Sequence, residues 1–169
     1  DYRMQTFVEH AFMFKVLVDP FASGRFIALQ EHPTIQLQAD TVDRLKIIAP
    51  SKANPGDDVL AHVIALDQWG NPCRDANLTV ALQVSKDGRE IESFDVAIFQ
   101  GKGAVKVPVS EEGKYYFTVA YADAQYVSNP LLVSSDTSKH IFWADLHGQS
   151  GETVGTNDVN SYFDFAKEY

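Results

Sequence analysis

Cysteine is almost missing from these 169 residues, with Cys73 standing alone. An intrachain disulfide framework is therefore excluded, as is a cysteine-based zinc site, so stability has to come from a buried core. A lone thiol does not decide the compartment, which stays open between cytoplasm and periplasm. Also missing is any apolar run near the roughly 20 residues that cross a bilayer, so a soluble product is expected. Basic residues are scarce, 14 Lys and Arg against 23 Asp and Glu, for a formal charge of -9. With no basic cluster to offset that repulsion, partners bound through phosphate are disfavoured, nucleic acid and anionic membrane alike. A helical period is missing too, all the way from residue 41 to 133.

What is present suits a folded β protein. Hydrophobic residues make up 45% and aromatics 12% of the chain, enough for one buried core and too much for disorder. Phe12, Phe14, Val16 and Val18 alternate with Met13, Lys15 and Leu17, a period of two that predicts a strand. Asp19-Pro20 and Ser23-Gly24 break it. Short strands are then predicted over 25–30 and 34–38, separated by Glu31-His32-Pro33. Residues 1–40 thus read as a small β-meander that packs on a sandwich or a neighbouring domain.

From residue 41 to 135 the strands become regular, over 45–48, 59–66, 78–84, 91–99, 105–109, 115–121 and 126–133. Turn signals fall between them at Asn54-Pro55-Gly56, Gly70-Asn71-Pro72, Asp87-Gly88, Gly101-Lys102-Gly103 and Glu112-Gly113, the spacing of an antiparallel sandwich. Leu78, Val80, Leu82 and Val84 form one core face, and Tyr115, Phe117, Val119 and Tyr121 another. The strand over 59–66 departs from this. Val59, Ala61, Val63 and Ala65 on one side are matched by Leu60, Ile64 and Leu66 on the other, so both faces are expected to be covered, with His62 a packing histidine. Asp67-Gln68-Trp69-Gly70-Asn71-Pro72 and Glu112-Gly113-Lys114-Tyr115-Tyr116-Phe117 resemble the strand-end signatures of bacterial immunoglobulin-like and filamin-like domains. In that reading Gly70 and Asn71 supply unusual φ angles and Gly113 an entry corner.

After the polar stretch 134–138 the composition changes, and a boundary is expected near residue 136. A buried strand over 141–146 and a helix over 158–169, capped by Thr156 or Asn157 and striped by Val159, Tyr162, Phe163, Ala166 and Tyr169, make a strand-loop-helix unit. Polar groups at the C-terminal end of such a strand are how βα barrels present chemistry. Asp145-Leu146-His147-Gly148-Gln149-Ser150 resembles the first motif of the PHP (polymerase and histidinol phosphatase) superfamily, an Asp-x-His-x-His-Ser/Thr pattern. The longer stretch 142–156, behind an immunoglobulin-like region, resembles a large uncharacterised bacterial family with a PHP-like C-terminal domain.

The resemblance implies a metal-dependent, phosphoesterase-like hydrolase holding a divalent metal, zinc or manganese. His147 falls on the first metal-binding histidine and Gln149 on the second, where an amide oxygen replaces imidazole as a weaker, neutral ligand. Remaining ligands and any general base are implied in a barrel beyond residue 169. The chain starts on Asp1 rather than methionine and stops inside the helical pattern, so both ends are expected to be cuts. The fragment itself should be inert, because metal hydrolysis needs a multidentate cage. An apolar tail cut from its barrel is expected to disorder, fold back on the sandwich or pair with a second copy as a homodimer.

Other residues read more plainly. Phe142 and Trp143 suit a buried strand better than a pocket. Glu152 is either a ligand, direct or indirect, or a solvated loop carboxylate, His10, His32 and His140 lack partners at ligand spacing, and Cys73 reads as a half-buried thiol. The alternative function is a binding or adhesion module that recognises glycan or protein through loops or an edge strand.

Overall fold

The computed structural model describes residues 3–136, 147–155 and 158–168. Its centre is a mainly β, two-layer antiparallel sandwich. One layer orders β10(Lys102–Val109), β7(Asp57–Leu66) and β5(Arg44–Ile48). The other runs from β6(Lys52–Ala53) through β13(Leu131–Val133), β11(Gly113–Tyr121) and β8(Leu78–Lys86) to β9(Arg89–Ile98), with β12(Ala124–Val127) also on β11. This is the immunoglobulin-like pattern of consecutive strands shared between two sheets. The Tyr115 hydroxyl donates to the Glu111 carbonyl at 2.9 Å, the tyrosine-corner bond expected at the head of such a strand.

The core follows the predicted alternation. Val59, Ala61, Val63 and Ala65 from one layer meet Val80, Leu82, Val84, Tyr115, Phe117 and Val119 from the other, all buried. The second stripe of β7 is covered only at one end. Ile64 is buried, yet Leu60 is 41% exposed and His62 is exposed, so His62 is no packing histidine. Register explains the difference: Lys46 and Lys102 sit on either side of Ile64, where long alkyl stems shield an apolar neighbour without a further layer.

Two strand boundaries also differ from the pattern. The strand expected over 126–133 is broken at Ser128–Pro130, because Pro130 has no N–H for the ladder. Ser128 Oγ fills the gap by accepting from the Phe117 N–H at 3.1 Å, and Asn129 pairs with both backbone groups of Ala49 at 3.0 and 2.8 Å. The turn expected at 101–103 sits one residue earlier, on Gln100 and Gly101 with φ of 51° and 82°. Two positive φ values suit a type I′ hairpin. Gly103 lies instead inside β10, where a Cβ would come within 2.4 Å of the Ala97 carbonyl oxygen.

Ahead of the sandwich, β1(Glu9–Met13) pairs with β4(Thr34–Leu37), and β2(Leu17–Val18) with β3(Ile27–Ala28). The expected meander is thus one long two-stranded ribbon, interrupted where His32 Nδ1 accepts the Val16 N–H at 3.2 Å. It is tied to the sandwich through Asn71, whose Nδ2 donates to the Thr6 carbonyl at 2.7 Å and whose Oδ1 accepts from Val8 N–H at 3.2 Å.

Candidate functional site

The loop 147–155 and α1(Val159–Glu168) form one local unit. Asp158 caps the helix: its Oδ1 accepts from the N–H groups of Asn160 and Ser161 at 2.9 and 3.0 Å, and Ser161 Oγ donates to Oδ2 at 2.7 Å. The expected caps, Thr156 and Asn157, lie outside the described residues, as does Tyr169. Those bonds, led by the Ser161 side chain, hold the Asp158 carboxyl below the ordinary aspartate value. Before the helix, the Ser150 carbonyl accepts from Thr153 and Gly155 N–H groups at 2.9 and 2.8 Å, folding the loop back on itself.

Glu152 joins loop to helix. Ser150 Oγ donates to its Oε2, and its Oε1 accepts the Val159 N–H at 3.4 Å, one of the N–H groups a helix leaves unpaired. The serine bond is the first cause of a carboxyl pKa below the ordinary glutamate value. Gly148 is fixed from the other side. A Cβ there would lie 2.5 Å from the Tyr162 hydroxyl oxygen, so the loop backbone rests on that helix side chain.

On this support the side chains of His147 and Gln149 meet. The imidazole Nε2 and the amide Nε2 are 3.1 Å apart, and both side chains are exposed. A half-turn of the amide presents its oxygen to the same space. The pair offers one imidazole lone pair and one amide oxygen, a neutral set that matches part of a zinc or manganese shell and needs further ligands to complete it. Among the described residues no group of three or more His, Cys, Asp and Glu side chains gathers. Asp145 and the strand expected over 141–146, with Phe142, Trp143 and His140, lie outside the described residues.

A second polar centre was not legible as such in the sequence. Asp67 is fully buried, and its carboxylate accepts four bonds: from Trp69 and Asn71 N–H groups at 2.9 and 2.8 Å, from Asn71 Nδ2 at 2.8 Å, and from the Asp40 N–H at 3.2 Å. Burial pushes its carboxyl pKa up, and these donors, Asn71 foremost, more than reverse that, leaving it below the ordinary value. Gly70 takes the positive φ of 90°, whereas Asn71 does not; Asn71 is there for its amide. The signal that could have found this centre is an aspartate closing a strand four residues ahead of an asparagine. Cys73, beside it, is buried rather than half-buried, and burial first, then Asp67, Asp40 and Asp75, push its thiol up to about 11, which makes it inert.

Between the ribbon, this sandwich corner and α1 lies a cleft of about 1570 Å³, reached from one side by Gln149 and Tyr162. No helix among the described residues is long and apolar enough to cross a membrane. No protein-family model matches the chain, and no curated protein does. Among solved structures, it is similar to the sulfur carrier protein SoxY from Chlorobium limicola f. thiosulfatophilum, at 15% identity over 53% of this chain and 78% of that one, with a TM-score of 0.32. It is also similar to a superoxide-reductase-like protein from Thermotoga maritima, at 14% identity over 54% and 86% of the two chains, with a TM-score of 0.36.

Proposed function

We propose that the loop 147–155 is the first metal-binding element of a metal-dependent, phosphoesterase-like hydrolase, with the sandwich as its accessory domain. The observation that supports this reading is the meeting of His147 and Gln149 at 3.1 Å over a glycine seated on Tyr162. Positions two apart in an extended segment ordinarily share a face, and here the amide that closes on the ring nitrogen also carries the oxygen a metal would take, so both ligand-type side chains border one space. In the reading, His147 Nε2 and Gln149 Oε1 hold the metal, while Tyr162 from the helix and Glu152, which reaches from the loop to the helix start, keep the loop in place. A bound divalent cation polarises an ester oxygen and lowers the pKa of a bound water. By the PHP resemblance the other ligands come from later barrel strands, outside these 169 residues.

The test compares the full-length protein with His147→Ala, both produced in zinc- and manganese-replete medium. Metal content by mass spectrometry is expected to fall in the variant, with hydrolysis of p-nitrophenyl phosphate reduced about 100-fold or more. Equal metal content and equal hydrolysis in the two proteins would remove His147 from the site.

A further inference from the structure

We propose that the cleft between ribbon, sandwich corner and α1 binds a neutral, hydroxyl-rich chain molecule of the oligosaccharide class. This goes beyond the hydrolase reading and stands without it. Size is the first argument. At about 1570 Å³ the cleft exceeds the roughly 300–1,000 Å³ that encloses a single drug-sized ligand, so it suits a molecule of several units.

Its polar groups divide into two sets. Some are committed within the protein: Gln36 to His10 at 3.4 Å, Asp40 to Thr41 N–H and Gln68 at 2.7 and 3.4 Å, and Ser161 to Asp158 at 2.7 Å. Others line the cleft with no side-chain hydrogen bond among the described residues, namely Gln38, Thr41, Asp75 and Tyr121. They bring an amide, two hydroxyls and a carboxylate, groups that together donate to and accept from alcohols. The ring of Tyr162, which is 37% exposed, offers flat apolar surface for the C–H side of a sugar ring, while Tyr121 lines the cleft half-buried against the sandwich core.

Charge decides among polar ligands. Glu9, Asp40, Asp75 and Asp164 line the cleft against Arg74, on a chain of net charge -9, so an anionic ligand meets repulsion. A cationic ligand would gain from the same carboxylates, yet three of the four unspent groups, Gln38, Thr41 and Tyr121, are neutral and suited to hydroxyls rather than to ammonium.

The test is an NMR titration of the isotope-labelled full chain with cello-, malto-, manno- and xylohexaose, with hexagalacturonate as the anionic and chitosan hexamer as the cationic comparison. At least one neutral hexasaccharide is expected to give saturable shifts confined to residues 8–11, 36–42, 72–76, 121, 149 and 161–164, with Kd below about 1 mM. Asp75→Asn and Gln38→Ala should each weaken it about fivefold. Among the described residues neither side chain takes part in a hydrogen bond of the fold, so both variants should keep the parent spectrum elsewhere. Absence of shifts with every neutral hexasaccharide, shifts outside the cleft, or tighter binding of either charged oligomer would overturn the proposal. His147→Ala is expected to bind the sugar as the parent does, so this result and the metal result can fail separately.

Discussion

Sandwich and ribbon are both built from alternating apolar residues, and they bury them very differently. Phe117 in β11 is fully buried, whereas Phe14, Val18 and Ile27 of the ribbon are 37%, 40% and 65% exposed, and Phe21 at its turn is 85% exposed. The alternation is equally good in both. What differs is the second layer: β5, β7 and β10 lie over β8 and β11, while among the described residues no sheet faces the ribbon's two strands. A two-stranded ribbon holds its register through backbone bonds but cannot make a core by itself. Period therefore reports which face is apolar, and only layering reports whether that face is dry.

The contrast can be broken at several points. Phe117→Ala should cost about 3–5 kcal/mol in chemical denaturation, and Phe21→Ala less than about 0.5 kcal/mol. Similar losses for the two would mean that the ribbon is packed in solution. Asp67→Ala comes next, because it strips the acceptor from the N–H groups of Asp40, Trp69 and Asn71; a loss of about 3 kcal/mol is expected, with the ribbon loosening as Asn71 releases Thr6 and Val8. Hydrogen exchange at Thr6 and Val8 reads that coupling directly, and unchanged exchange would show that the ribbon is held by something else.

A smaller effect concerns acid. The Asp67 carboxyl is depressed in the folded state, so its contribution is complete above its unfolded pKa and is lost as pH falls below about 4 and through the folded value. Asp67→Asn should flatten that part of the stability curve while lowering the plateau at neutral pH. A parallel acid slope in both proteins would assign the acid loss to other carboxylates. The smallest change is Ala122→Gly. Ala122 holds a φ of 49° in the turn between β11 and β12, and glycine there should raise stability by about 0.5–1 kcal/mol if relief of strain outweighs its added chain entropy; an unchanged or lower denaturation midpoint would show that it does not.

The sandwich was legible because its strands carry a strict period and because Asp87-Gly88 and Gly56 mark turns that need positive φ. The pairing was less so. β6 is two residues long, and Lys52-Ala53 has no pattern to announce that the chain changes sheets there. The ribbon's topology depends on which short strands pair, a choice made by the 9-to-37 and 18-to-27 registers rather than by any one segment. At the candidate site, the types and spacing of His147 and Gln149 were readable. Their contact was not, because it depends on Tyr162 beneath Gly148 and on Glu152 reaching the helix start, both of them long-range choices of side-chain direction. Asp67 went unread for a related reason: a buried carboxylate looks like a surface one until its four donors are counted.

The parallel pairing of β6 with β13 has a mechanical consequence. Lys52 and Ala53 lie beside Leu132 and Val133, held by the Leu132 N–H to the Ser51 carbonyl at 3.0 Å and the Ser134 N–H to the Ala53 carbonyl at 3.1 Å. Tension applied through the two ends of the sandwich would draw these strands past each other, loading both bonds at once instead of peeling them one by one. A domain closed in this way transmits force as a stiff strut, so a pull on the ribbon side reaches the far end of β13 with little slack.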